Sequence, residues 1–245
     1  MPEGPSLVIL KEELAGFKGK KVTAVSGNSK ENIKQLEGKK IIDFRTWGKH
    51  FLICFKGVTL RIHFLLFGKY TINEKKPVPA RLSLEFSKGE INFYNCSVKF
   101  INEPLDEVYD FTADVMNDDW DVKAAKKKLK EKPDMLVCDA LLDQQIFSGV
   151  GNIIKNEVLY RIKVHPETLV GNLPLKKLNE LIKEARVYSF DFLEWKKEYT
   201  LRKHWLAHTK KTCSRDGNPI IKKYLGKTNR RTFYCEACQV NYNEV

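Results

Sequence analysis

Four short runs of this chain carry residue types that could do chemistry. The first is Met1-Pro2-Glu3-Gly4-Pro5. A small second residue permits removal of Met1, and Pro2 then becomes a secondary amine. α-Amino groups titrate at about 7.7–8.0, close enough to neutrality for the free base to be available. Such an amine can attack C1′ of a sugar and form an iminium, with Glu3 moving protons beside it. A Met-Pro start is common and by itself weak. The second run is Arg45-Thr46-Trp47-Gly48-Lys49-His50. Gly48 suits a turn that lets backbone approach a ligand. Lys49 would then project a point charge suited to a phosphate. A hairpin with an exposed lysine is the plainer reading.

The third run is Leu141-Leu142-Asp143-Gln144-Gln145-Ile146-Phe147-Ser148-Gly149-Val150-Gly151-Asn152-Ile153-Ile154-Lys155-Asn156-Glu157. Two glycines separate two helical patterns, and Asn152 opens the second. Backbone N–H groups at a helix start can bind a phosphate, although an Asn cap on a plain helix–turn–helix reads the same way. The run follows a helix and not a strand, which excludes a dinucleotide-binding glycine loop. The fourth run is the tail. Cys235-x2-Cys238 is a zinc half-site. Cys213-Ser214-Arg215-Asp216 is an imperfect mate, since Asp216 stands where a second cysteine would complete the pair. Carboxylate oxygen can ligate zinc, and so can the imidazole of His208, five residues before Cys213. Between the pairs a β-hairpin would present Arg230-Arg231 to phosphates.

Three kinds of element must position these runs. Residues 1 to about 115 read as an opening helix from Ser6 to Phe17, then β-rich runs: KVTAVSG, KKIIDFRTWG, KHFLICF, VTLRIHFLLFG, RLSLEFS and INFYN. Short strands at this spacing predict a sandwich or barrel. KAAKKKLKEK, CDALLDQQIF, NIIKNEVLYRI and LKKLNELIKEARVYSFDFLEW show helical apolar spacing. The expected layout is a β domain over 1–115, a helical domain over 116–204 and a metal-type hairpin over 205–245.

The bulk numbers allow nucleic acid without requiring it. The 245 residues carry 43 Lys+Arg against 31 Asp+Glu, a formal charge of +12. Residues 201–245 hold ten basic and three acidic side chains, a net of +7 and over half of the excess. That balance favours polyanionic partners. Cys54, Cys96 and Cys138 are scattered among apolar neighbours and read as buried thiols. Clustered cysteines in a cytosolic setting point to metal before disulfide. No run of eighteen apolar residues occurs, and MPEGPSLVIL lacks the basic start and long apolar core of a signal peptide. The expected address is the cytoplasm, in association with the nucleoid.

In this order, and over nearly the whole length, the four runs resemble the formamidopyrimidine-DNA glycosylase and endonuclease VIII family. MPEGP resembles the endonuclease VIII form of its N-terminal signature, TWGK its phosphate-binding lysine loop, LLDQQIFSGVGNIIKNEVL its helix–two-turns–helix motif, and RRTFYCEACQ its zinc-finger hairpin. The resemblance implies a multidomain α and β fold. Its parts are an N-terminal β-sandwich with a flanking helix, a helical domain with the helix–two-turns–helix motif, and a C-terminal zinc-finger-type β-hairpin. It implies a bifunctional glycosylase and AP lyase of base-excision repair, a monomer acting on damaged double-stranded DNA and on no membrane. Pro2 would be the nucleophile and Glu3 its acid/base partner. Lys49, with both a catalytic and a DNA-binding role, would hold flanking phosphates together with Asn152 and Arg230. The run His63-Phe64-Leu65-Leu66-Phe67-Gly68 resembles the loop that fills the gap of an extruded base, with Leu65, Leu66 and Phe67 as the wedge. Pattern alone favours a buried strand there. Cys213, Asp216, Cys235 and Cys238 would hold one structural zinc, with His208 as the competing fourth ligand, and catalysis would need no cofactor.

Several positions depart from the family pattern. Ser6 stands where a glutamate is usual, Cys138 where many members carry a lysine, and Asp216 in place of a zinc cysteine. The stretch between the helical motif and Cys213 is short. In purine-directed relatives that region carries a loop covering 8-oxoguanine, so its shortness points to oxidised pyrimidines, ring-opened purines or bare abasic sites. A non-catalytic damaged-DNA-binding protein on the same scaffold fits the departures. An RNA-binding protein with a zinc ribbon fits the charge and cysteines but leaves MPEGP and GVGN unexplained.

Overall fold

The computed structural model describes residues 2–243. The chain divides into two compact units, Met1–Tyr109 and Asp110–Val245. In the first, helix α1 spans Gly4–Glu13, followed by a single 3₁₀ turn at Ala15–Phe17. The helix expected from Ser6 to Phe17 therefore starts two residues earlier and stops sooner. Pro5 is accommodated because the first turn needs no N–H donor. Gly16 brings no helix propensity to the C-terminal end. Leu7, Leu10 and Leu14 make one buried stripe, each at most 1% exposed. Burying a leucine stabilises by about 1.5–3 kcal/mol, so this stripe anchors the helix to the sheet.

The strands are β1 (Val22–Ser26), β2 (Ile41–Trp47), β3 (His50–Phe55), β4 (Val58–Ile72), β5 (Leu82–Phe86) and β6 (Glu90–Ile101). They form one antiparallel ladder in the order β1-β5-β6-β4-β3-β2. The two end strands meet through a Lys21–Lys40 bridge, with Val22 N donating to Lys39 O at 2.9 Å. The ladder thus folds round on itself as a β-sandwich, with Phe44, Phe51, Ile53, Leu60, Ile62, Leu84 and Phe93 inside. Helix α2, Leu105–Val108, closes this unit.

The second unit holds α3 (Val122–Lys130), α4 (Val137–Ala140), α5 (Asn152–Arg161), α6 (Leu175–Lys197) and the hairpin of β7 (Ile221–Leu225) and β8 (Arg230–Tyr234). The apolar run CDALLDQQIF, expected to be helical throughout, is helical only at its start. The Asp143 carboxylate accepts from Gln145 N at 2.9 Å and turns the chain. The Gln144 amide then staples the turns, donating to Leu142 O at 2.7 Å and accepting from Gly149 N at 3.1 Å. Gly149 takes a φ of 97°, which its missing Cβ allows. Leu141, Ile146, Phe147, Val150, Ile154, Val158, Leu181 and Tyr188 share one core, and Leu225 and Tyr234 bring the hairpin into it.

Candidate functional site

In the first unit Pro2 is half-buried and Glu3 is 3% exposed. Glu3 is the N-cap of α1 with φ −105° and ψ 170°, and its carbonyl accepts from Ser6 N at 2.8 Å. Its carboxylate does not cap the helix. Residue 2 therefore lies at the positive end of the helix dipole, next to a buried carboxylate. Ser6 lies half-buried in the first turn.

Lys49 is half-buried in the two-residue turn between β2 and β3. Gly48, at the first turn position, has a φ of 53°, the positive value that a primed hairpin turn requires. Beyond the turn, His50 pairs with His63 across β3 and β4, their rings 5.3 Å apart and edge to face. His50 Nδ1 lies 3.1 Å from the Tyr109 hydroxyl. Burial first, then the charges of Arg61, His63 and Lys49, push His50 down to about 3. Burial and the charges of Arg61 and Lys49 lower His63 as well. Both rings are neutral at neutral pH and the charge there is carried by Arg61 and Lys49. Reading the sequence singled out Lys49 but not this surrounding cluster.

Leu65, Leu66 and Phe67 are 49%, 58% and 72% exposed. The buried strand that pattern favoured is interrupted here. β4 and β6 pair at Phe64–Cys96 and again at Lys69–Tyr94, so four residues of β4 stand opposite Asn95 alone. The surplus is thrown off the sheet as an apolar protrusion. Gly68 makes the close return possible, since a Cβ there would lie 2.7 Å from that of Phe64.

In the second unit Asn152 is the first residue of α5, after the N-cap Gly151. Its Nδ2 donates to Arg231 O at 2.8 Å, tying the helix start to β8. Arg230 is exposed at the start of β8, paired across the hairpin with Leu225. Asn152 and the arginine pair, 79 residues apart for the bonded Arg231, are thereby brought together. Cys138 is buried, and burial pushes its thiol up to about 12 against the opposing charge of Lys155.

One ligand atom from each of Cys213, Asp216, Cys235 and Cys238 lies within 4.8 Å of the others. Cys213 Sγ and Cys238 Sγ are 3.8 Å apart, and Cys235 Sγ donates to Asp216 Oδ2 at 3.2 Å. Zn–S bonds of about 2.3 Å set the edge of a tetrahedron at about 3.8 Å, which the Cys213–Cys238 separation matches. These four residues could hold a metal ion. His208 lies outside the group. Its Nδ1 faces Asn156 Nδ2 at 2.9 Å, and its ring packs edge to face on Trp205 and Phe233. Since Asn156 Oδ1 accepts from Phe233 N, the amide presents its NH2 to His208, whose Nδ1 is an acceptor.

Residues 1–100 match the model of the formamidopyrimidine-DNA glycosylase N-terminal domain, and residues 111–188 that of the formamidopyrimidine-DNA glycosylase H2TH domain. Similar curated proteins include endonuclease 8-like 3 of Xenopus laevis, 30% identical over 231 residues, covering 89% of this chain and 38% of that protein. Endonuclease 8-like 2 of Bos taurus is 34% identical over 199 residues, covering 74% of this chain and 58% of that protein. The chain thus spans between about a third and three fifths of the length of these relatives. Among solved structures, Lactococcus lactis Fpg with DNA containing an abasic site superposes with a TM-score of 0.85 at 21% identity, over 97% of this chain and 99% of that one. A viral DNA glycosylase gives 0.85 at 22%, over 97% and 100%. Two domain models in order, relatives aligned across both, and a shared fold agree, and the chain belongs to the formamidopyrimidine-DNA glycosylase and endonuclease VIII family.

Proposed function

We propose that this chain is a bifunctional DNA glycosylase and AP lyase that removes oxidised bases and cuts the strand through a Pro2 Schiff base. The observation that carries the reading is the placement of Pro2 ahead of the α1 N-cap, beside the buried Glu3. With Met1 removed, the Pro2 amine attacks C1′ of the damaged nucleotide and the C1′–N bond breaks. The base leaves with that electron pair and takes up a proton; the C1′–O4′ bond then breaks as O4′ takes up a proton, and an iminium joins Pro2 to the ring-opened sugar. Glu3 serves as the proton carrier at the sugar. The iminium acidifies C2′, whose proton is lost as the C3′–O bond breaks and the 3′-phosphate departs. Loss of the C4′ proton with rupture of the C5′–O bond releases the 5′-phosphate. Water then hydrolyses the imine and frees Pro2.

A base must leave the stack before C1′ can be reached, and unstacking costs a few kcal/mol. Leu65, Leu66 and Phe67 supply apolar surface to fill the vacated space. Lys49, Asn152 and Arg230 bind the flanking phosphates. The partner is damaged double-stranded DNA, bound by a single copy of the chain. The metal of the Cys213, Asp216, Cys235 and Cys238 group is zinc. With all four donors from protein it leaves no open position and serves to shape the hairpin base. The short stretch between the helix–two-turns–helix motif and Cys213 supports oxidised pyrimidines, ring-opened purines and abasic sites as substrates.

The test is borohydride trapping on duplexes carrying an abasic site, thymine glycol or dihydrouracil, with intact mass verifying loss of Met1. A covalent adduct is expected with each. If the processed protein gives none, the enzyme reading fails and a non-catalytic damage binder takes its place.

A further inference from the structure

Lys155 is 1% exposed in the middle of the second unit. A buried ammonium is tolerable only when its donors are accepted. Its Nζ donates to Thr232 Oγ1 at 2.7 Å. The Thr232 hydroxyl donates in turn to the main-chain carbonyl of Arg230 at 3.0 Å. The next carbonyl, that of Arg231, accepts from Asn152 Nδ2 at 2.8 Å, and Phe233 N donates to Asn156 Oδ1 at 3.3 Å. Asn152, Lys155 and Asn156 are spaced i, i+3, i+4 and so lie on one face of α5. That polar row engages Arg231, Thr232 and Phe233 of β8 directly, and reaches Arg230 through Thr232. At the hairpin turn, Asp139 Oδ2 accepts from Lys227 N at 3.0 Å.

We propose that Lys155 is a positioning residue for DNA binding, which acts through the Thr232 hydroxyl to fix the backbone of Arg230 and so the direction of its guanidinium. The proposal rests on the reading of Arg230 as a phosphate contact. A lysine ammonium fits the task because it orients the relay. It has no acceptor of its own, so the Thr232 oxygen must accept its hydrogen bond and the Thr232 hydrogen is directed to the Arg230 carbonyl. The docking of β8 is then carried by α5 and not by the metal centre beyond its end.

The experiment compares Lys155→Met, Thr232→Val, Thr232→Ser and the Met/Val double variant with the wild type. The readouts are binding to a DNA duplex carrying a reduced abasic site across a salt series, and amide exchange of Phe233. A hydrogen bond to a charged group is worth enough that Lys155→Met and Thr232→Val should each weaken binding by about tenfold. Each should lower the salt slope by about one, as loss of one phosphate contact requires. The double variant should be no worse than the worse single one, Thr232→Ser should bind like the wild type, and Phe233 exchange should quicken only where the relay is cut. Chelation of the metal from the wild type should leave Phe233 protected. A wild-type salt slope in both Lys155→Met and Thr232→Val, fully additive losses, or loss of Phe233 protection on chelation alone would overturn the proposal. If Lys155→Met does not fold, Thr232→Val and Thr232→Ser decide it. Arg230→Ala separates the two readings: an unchanged slope there rejects the phosphate role of Arg230, while Phe233 exchange still reports on the relay.

Discussion

The roles proposed for Pro2 and Glu3 depend on where the chain puts them. Residue 2 precedes the N-cap of α1, at the positive end of the helix dipole. Glu3 is 3% exposed, so its carboxylate is shielded from water. Glu3→Gln keeps the shape and removes the proton carrier. It should slow base removal by about 10²–10⁴-fold, the usual reach of general acid–base catalysis. Trapping on a pre-formed abasic site, where no base has to leave, should survive. Single-turnover cleavage of a thymine glycol duplex beside borohydride trapping on an abasic duplex measures both, and equal losses would remove Glu3 from the base-expulsion step. Asp216 is the other residue whose type matters. Its carboxylate shares one small group with three thiols, whereas His208 faces Asn156. Elemental analysis should find metal lost in Asp216→Ala, and kept in Asp216→Cys and in His208→Ala. Metal retained in Asp216→Ala would dismiss the carboxylate as a ligand.

Elements turn these residues into surfaces. The protrusion of β4 exists because four residues stand opposite Asn95 alone, and its side chains reach solvent without supporting the core. Phe67→Ala should therefore leave thermal stability within the small range of surface substitutions, about 0.5 kcal/mol. Base removal from a fully paired duplex should fall, and cleavage of an abasic site, which has no base to unstack, should fall much less. Equal losses on both substrates would deny the wedge. The protrusion was not legible in the pattern, because VTLRIHFLLFG reads as one continuous strand and period alone does not reveal a register slip. The His50–His63 pair was legible in principle. A two-residue turn at Lys56-Gly57 joins Phe55 to Val58, and counting back from that turn brings His50 opposite His63. The four runs and the order of β, helical and hairpin elements could be read because glycines, cysteines and periodicity mark them. Lys155 could not, since a lysine in a helical pattern is ordinarily solvent-facing. The stop of α4 after Ala140 was equally hidden, because it depends on hydrogen bonds made by Asp143 and Gln144 and not on a helix breaker.

At the scale of the whole molecule, each unit holds a half-buried histidine whose charged form is disfavoured, and this contributes to the response to acid. His50 is pushed down to about 3 by burial and by Arg61, His63 and Lys49. His208 is pushed down to about 4, by burial first and then by the charges of Lys155 and Arg231. An unfolded histidine titrates near 6.5. Between that value and the folded one the unfolded chain binds more protons, so stability rises with pH through this window. The contribution is fully present above about 6.5 and is lost progressively as pH falls toward about 4 for His208 and about 3 for His50. Protonating His208 would also cost the acceptor that Asn156 uses, and Asn156 holds the backbone of Phe233. Acid should therefore loosen the hairpin together with destabilising the unit that carries it. Thermal unfolding midpoints measured from pH 7.5 to pH 4.5 should fall for the wild type, and His208→Gln should flatten the part of that fall below pH 6.5. A His208→Gln profile parallel to the wild type would mean that the ring is protonated in the folded state near its ordinary pKa, and that the acid response arises elsewhere in the chain.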